Sequence, residues 1–266
     1  MEIKFKDIAT VSELSKAEFV KNHFGPSIPV VIKGGANNYK AFKKWSTDYF
    51  ISLFGKKKVD VRTSQSGVYD YHKGSVSRVF LPFEEAVDYI KENKAYYLQQ
   101  SSIPENFPEL LGDLDEPMWM EETDKDKVRN LWLGGLGCVS PLHFDGSDNF
   151  LIQIKGKKEI ILFHPDDDKY LYPNVHGSKT LRQISLIDLD NVDHQKFPLF
   201  EKAVAYKAII GPGDILYIPL HWWHHVRSMD LSININYWWN RKNLRYYKYF
   251  TKAAVSTHTK RLSKKY

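Results

Sequence analysis

The hydrophobic positions change their period along this chain. Over the first third, pieces of two kinds alternate. The stretch SELSKAEFVKNHF, opening on Ser with Glu close behind, has helix-like spacing, IPVVIKG is a short β-branched run, and VDVRTS alternates apolar with polar residues. From about residue 95 strand patterns take over. AYYLQQ, RNLWLGG, FLIQIKGKKEIILF, KAIIGPGDILYIPLHWWHHVR and LSININYWW are rich in aromatic and β-branched residues, with glycine turns between them. This predicts a mainly β fold with flanking helices, built as an antiparallel sandwich or barrel. Residues 165–205, rich in Asp, Asn and Pro, read as an insertion between strands. Near the end, NLRYYKYFTKAAVSTHTKRL places Leu244, Tyr247, Thr251 and Ala254 on one helical stripe, which predicts a C-terminal helix that docks on something.

Composition narrows the setting. The chain has 266 residues, 42% of them hydrophobic and 14% aromatic, which is ample for a packed core. Cys138 is the single cysteine, so an intrachain disulfide and a zinc–cysteine cluster are both excluded. That fits a reducing compartment, and the expected location is cytoplasmic, the nucleus being a second reducing compartment that fits. The first residues lack a signal-peptide core, and no run approaches the roughly 20 apolar residues of a spanning helix, so no membrane association is expected. The net charge of +6 is a property of the tail. Residues 241–266 hold nine Lys or Arg and no acid, so +6 less +9 leaves −3 for the rest.

Chemistry enters at PLHFDGSDNF. In an extended segment, residues two apart project from one face, so His143 and Asp145 converge on one point. Alone, such a pair reads as a surface ion pair, and the rest of the sequence must decide. A third ligand is offered by GPGDILYIPLHWWHHVRS, where two adjacent histidines compete. If that strand is regular, Trp222, His224 and Val226 share one face, and His225 shares the other with Arg227, which prefers water. Parity therefore favours His224 as the inward residue. Two histidines and a carboxylate form the facial triad of non-haem iron(II), although zinc accepts the same ligands. Lys158 follows the Gly156 turn on a face with Ile160 and Leu162. Buried there it requires an anionic partner, and at a sheet edge it would snorkel to water. In ININYWW, Asn234, Asn236 and Trp238 share a face, and amides inside a core strand demand hydrogen-bond partners.

These segments together, PLHFDGSDNFLIQIKGKKEIILF with GPGDILYIPLHWWHHV and NINYWW, resemble the Jumonji-C (cupin-like) family of iron(II) and 2-oxoglutarate oxygenases. Within it, YLQQ and LRQISLIDLDNVDHQKFPLF are most similar to the asparaginyl hydroxylases acting on hypoxia-inducible factor, and DNFLIQ followed by GKK is shared with hydroxylases of a tRNA wybutosine base. The resemblance covers roughly residues 95–240. It implies a double-stranded β-helix (cupin or jelly-roll) core there, an N-terminal α/β elaboration over 1–94, and a basic C-terminal helix over 241–266 through which a homodimer would form. By the same resemblance His143, Asp145 and His224 are the iron ligands. Lys158 faces the distal carboxylate of 2-oxoglutarate with Tyr97 and Ser140 beside it. Asn149 and Asn236 are pocket amides, Trp238 packs near the metal, and Gln99, Arg182 and Gln183 contact substrate. The implied activity is hydroxylation of a protein side chain on a protein or peptide partner. The alternatives are hydroxylation of a modified tRNA base and lysine demethylation.

Overall fold

A computed structural model describes residues 3–240 except 72–73, 75, 93–94, 121–126 and 175–182; the expected C-terminal helix lies outside these residues. The chain begins with β1 (Phe5–Asp7), β2 (Thr10–Val11), α1 (Lys16–Phe19) and β3 (Val30–Ile32). It continues through α2 (Lys40–Lys44), α3 (Thr47–Phe54), β4 (Lys58–Ser64), β5 (Val76–Pro82), α4 (Phe83–Lys91), β6 (Tyr96–Ser102) and α5 (Ile103–Asn106). Strands then dominate: β7 (Val128–Gly134), β8 (Val139–Phe144), β9 (Asp148–Lys155), β10 (Lys158–Phe163), β11 (Ala205–Ile210), β12 (Ile215–Ile218), β13 (Trp223–Ser228) and β14 (Ser232–Trp239).

Local signals explain several boundaries. Helix α1 starts where Ser15 accepts from the Glu18 amide and the Glu18 carboxylate accepts from the Ser15 amide, a reciprocal cap that satisfies two otherwise orphaned donors. Ser46 caps α3 one way, its hydroxyl accepting from the Tyr49 amide. Gly156 supplies φ 69 for the turn between β9 and β10, a conformation costly for residues with a Cβ.

The strands form two sheets. One has nine strands in the order β2-β3-β12-β9-β14-β7-β6-β4-β5, and the other five in the order β1-β11-β10-β13-β8. The fold is mainly β, as expected, and the two sheets are consistent with a cupin-like jelly roll. The first third is woven into both: β1 pairs in parallel with β11, β3 antiparallel with β12, and β4 with β5 extends the larger sheet.

Period-2 alternation sorts side chains into layers. From β9 and β14, Phe150, Ile152, Ile233, Ile235 and Tyr237 face the helices in the largest core. The opposite faces of the sheets meet in an inner core that includes Leu151, Ile160, Leu162, Leu216, Ile218 and Val226. The outer face of the smaller sheet is not left wet. Leu142, Ile161, Phe163 and Trp223 are covered there by Leu171, Ile187 and Phe197, all from the insertion after β10.

Gly156 gives a direct test. A Cβ there would lie 2.2 Å from the Leu231 carbonyl oxygen and 2.2 Å from Asp230 Oδ1, so Gly156→Ala combines a backbone clash with positive φ. We expect a loss of about 2 kcal/mol or more in denaturant unfolding. A midpoint equal to wild type would show that this turn tolerates a side chain.

Candidate metal and cosubstrate site

The smaller sheet brings the proposed ligands together by register. In the antiparallel pairing of β8 with β13, His143 lies directly opposite His224, and the ladder is irregular between His224 and Val226. Asp145 follows immediately after β8 and is held from the other side, its carbonyl accepting from the amide of His221 at 3.1 Å. His221 adopts φ 63, a left-handed conformation that bends the chain just ahead of His224.

The resulting cluster is tight. One ligand atom from each of His143, Asp145 and His224 lies within 4.8 Å of the others, and His224 Nε2 is 3.6 Å from Asp145 Oδ2. The other ring nitrogens are committed. His143 Nδ1 sits 2.7 Å from the Pro141 carbonyl and His224 Nδ1 2.9 Å from the Trp222 carbonyl. A carbonyl can only accept, so each Nδ1 carries the hydrogen and each Nε2 keeps its lone pair for a cation. Burial, reinforced by His143 alongside, pushes the His224 pKa down to about 4, which keeps the imidazole neutral. Two imidazoles and one carboxylate fit iron(II) with coordination positions to spare.

A candidate anion site lies in the same cavity of about 500 Å³. Lys158 is 2% exposed, and its Nζ crosses from the smaller to the larger sheet, donating to Asn234 Oδ1 at 2.6 Å and to the Tyr97 hydroxyl at 3.2 Å. Both partners are neutral. Burial therefore pushes the Lys158 pKa down to about 7. Asn234 donates to Asn236 Oδ1 at 2.8 Å, and Asn236 donates to Asn149 Oδ1 at 2.9 Å, so the amides form a chain running from the lysine. Ser140 lines the cavity beside Tyr97. An ammonium with two hydroxyls beside it fits the far carboxylate of a 2-oxoacid.

Other expected residues distribute as follows. Trp238 lines the cavity with its indole Nε1 lacking a hydrogen-bond partner among the described residues, and so does Trp132, 6.5 Å away in an edge-to-face contact. Gln99 and Gln183 border the same cavity, with Gln99 accepting from the Tyr71 hydroxyl at 2.7 Å. Arg182 lies outside the described residues. Asn234 was visible in the sequence only as a core-strand amide, and its contact with Lys158 makes it part of the site. Arg62, Tyr71 and Trp132 had no sequence signal. His225 corrects an expectation: it is 3% exposed, beneath the insertion, although it does face away from His224 as parity required.

A family model for the cupin-like domain matches residues 16–245. The chain belongs to the cupin-like JmjC family. This JmjC chain is 34% identical to lysine-specific demethylase 8 of Danio rerio over 244 residues, 88% of this chain and 59% of that protein, and 34% identical to its Xenopus tropicalis counterpart over 232 residues, 85% and 51%. It is 31% identical to tRNA wybutosine-synthesizing protein 5 of Mus musculus over 246 residues, 85% and 75%. The JmjC chain thus spans little more than half the length of the demethylase relatives. These relatives carry the family and the tRNA-modifying kinship; the asparaginyl-hydroxylase branch has no counterpart among them.

Two predictions follow from the geometry. Asp145→Ala and His224→Ala should abolish binding of manganese(II), a stand-in for iron(II), in calorimetric titration, whereas His225→Ala should bind it as wild type does. Comparable loss in the His225 variant, with the fold intact, would move the site. For Lys158, the ordinary pKa of 10.5 drops to about 7 in the folded chain, so between these values the unfolded chain binds more protons and stability rises with pH. Replacing it by Met should remove that contribution, so the variant's advantage over wild type shrinks between about pH 7 and about pH 9 in chemical denaturation. An advantage independent of pH would show that the buried lysine keeps its proton.

Proposed function

We propose that this protein is an iron(II)- and 2-oxoglutarate-dependent oxygenase that hydroxylates a side chain of a protein substrate. The observation that carries the oxygenase reading is the convergence of a His-Asp-His triad and a buried, neutral-partnered lysine on one cavity. His143, Asp145 and His224 would hold iron, and Lys158 with Tyr97 and Ser140 would orient the far carboxylate of 2-oxoglutarate. When bound, this pair supplies the oxidation: one C–H bond and O₂ become C–OH as 2-oxoglutarate is converted to succinate and CO₂. The protein's own work is aiming and shielding. Trp132 and Trp238 wall the reacting space, and Gln99, fixed by Tyr71, offers an amide at its mouth with Gln183 nearby. Side-chain amides at a cleft mouth suit the peptide groups of an extended chain.

A second reading, hydroxylation of a modified tRNA base, is favoured by the tRNA wybutosine-synthesizing relative and by nine basic residues in 241–266. Against it stands the −3 charge of the remaining chain. Lysine demethylation is the same C–H hydroxylation applied to an N-methyl group, and the demethylase-named relatives keep it as an arm of the test.

The test is mass spectrometry after incubation with iron(II), 2-oxoglutarate and O₂ of peptide pools, bulk tRNA and methyl-lysine peptides. A gain of one oxygen on peptides is expected. Oxygen gained by tRNA alone, or methyl loss alone, would replace this reading. With the modified peptide in hand, Lys158→Ala should raise the 2-oxoglutarate requirement by about tenfold or more, one decade corresponding to about 1.4 kcal/mol.

A further inference from the structure

Apart from its histidines, the cavity that holds the triad is lined by three charged side chains among the described residues: Asp145, Lys158 and Arg62. Asp145 belongs to the metal and Lys158 to the cosubstrate. Arg62 has no task in the proposed reaction. The acids of the smaller cavity behind β8 and β13, against which His225 is buried, are by contrast engaged within the chain.

Strand parity places Arg62 at the cavity. In β4, Val59 and Val61 are buried in the largest core, so Asp60 and Arg62 project from the opposite face. In the antiparallel pairing of β4 with β5, Arg62 lies directly opposite Arg78. Like charges so placed repel. Asp60 bridges them, its Oδ1 accepting from Arg62 and, at 3.3 Å, from Arg78 Nε, and its Oδ2 from Arg78 alone. Two guanidiniums thus share one carboxylate, and a net positive charge stays at the cavity rim. Arg78 is 62% exposed and lies over the Phe80 ring, whereas Arg62 is 20% exposed. Asp60 is the single hydrogen-bond partner of Arg62 among the described residues, which leaves most of its N–H groups open to a ligand.

The neighbours of Arg62 are donors as well. On its other side it pairs with Tyr97, and in ring contact with Tyr97 stands Trp132, whose indole N–H has no partner among the described residues. Gln99, its oxygen taken by the Tyr71 hydroxyl, turns an amide nitrogen outward. A wall of donors around a guanidinium calls for an anionic acceptor.

We propose that Arg62 is a specificity-determining residue that binds the carboxylate of an aspartate or glutamate in a substrate polypeptide, near the residue to be oxidised. This rests on the protein-substrate reading. A carboxylate on Arg62 balances the surplus charge and leaves Asp60 to Arg78. A phosphate backbone would need several cations along its path, and among the described residues lining the cavity Arg62 has only the enclosed Lys158 for company.

The experiment is sequencing of the oxygenated products from a synthetic peptide pool randomised around a fixed centre, incubated with the full chain, iron(II), 2-oxoglutarate and O₂. Wild type should enrich Asp and Glu at one fixed offset from the modified residue by about fivefold. For one enriched peptide, exchanging that acid for its amide should raise KM about fivefold at nearly constant kcat, the mark of binding lost equally from ground and transition states. Arg62→Gln should make the two peptides equivalent, and Arg62→Glu should shift the enrichment toward Lys and Arg, which a merely structural role would not do. The wild-type comparison holds whether or not the variants fold. Modified peptides with no acid preferred at any offset, equal KM for acid and amide, or a preference that survives in Arg62→Gln would overturn the assignment and leave the protein-substrate reading intact. Oxygen gained by no peptide, with or without a gain on tRNA, would overturn both.

Discussion

A single ammonium group spans the two sheets. Lys158 rises from the start of β10 in the smaller sheet and ends on Asn234 and Tyr97 of the larger one, buried and with no carboxylate partner among the described residues. A charge so placed is costly in the absence of an anion, and the lowered pKa is the measure of that cost. The surrounding features read as accommodation of this group: two hydroxyls, three asparagines and a cavity large enough for a small dianion. The candidate metal ligands come from β8, from the residue that follows it and from β13 in the same smaller sheet, so triad and lysine are set on one frame by the pairing of β10 with β13, which places Leu162 opposite His224 and Lys158 opposite Ser228.

Strand β13 serves both faces of that frame. His224 looks inward to the triad and His225 outward to the smaller cavity, yet both are buried because the insertion after β10 roofs the outer face. A one-residue slip would exchange the two histidines, which is why the irregularity beyond His224 and the His221 turn before it matter: together they bracket the register at the ligand.

The sequence was most informative where strand parity alone assigns a face. Asn234, Asn236 and Trp238 turned inward together, as did Lys158 with Ile160 and Leu162, because alternation in a regular strand allows no other arrangement. Parity was silent on whether the opposite face is wet, so the burial of His225 was missed; it depends on the insertion, whose irregular path has no period to read. Arg62 and Trp132 were invisible for another reason. They reach the site only because β4, β6 and β7 align beside β14, a long-range pairing that no local pattern encodes. The same holds for β1, a Phe-Lys-Asp triplet with no strand pattern, and for β3, an isolated apolar run, whose partners lie some 200 and 185 positions further along. What the C-terminal stripe contacts lies outside the described residues.

The amide chain from Lys158 through Asn234 and Asn236 to Asn149 has a direction. Because an ammonium can only donate, Asn234 must present its oxygen to it, which obliges its nitrogen to face Asn236, and so on to Asn149. The orientation of the last amide is thus dictated from the far end of the cavity. The ammonium has three N–H groups and spends two of them on Asn234 and Tyr97, so a carboxylate taking the third leaves the row as it stands: the polarity of the wall is set before any ligand enters.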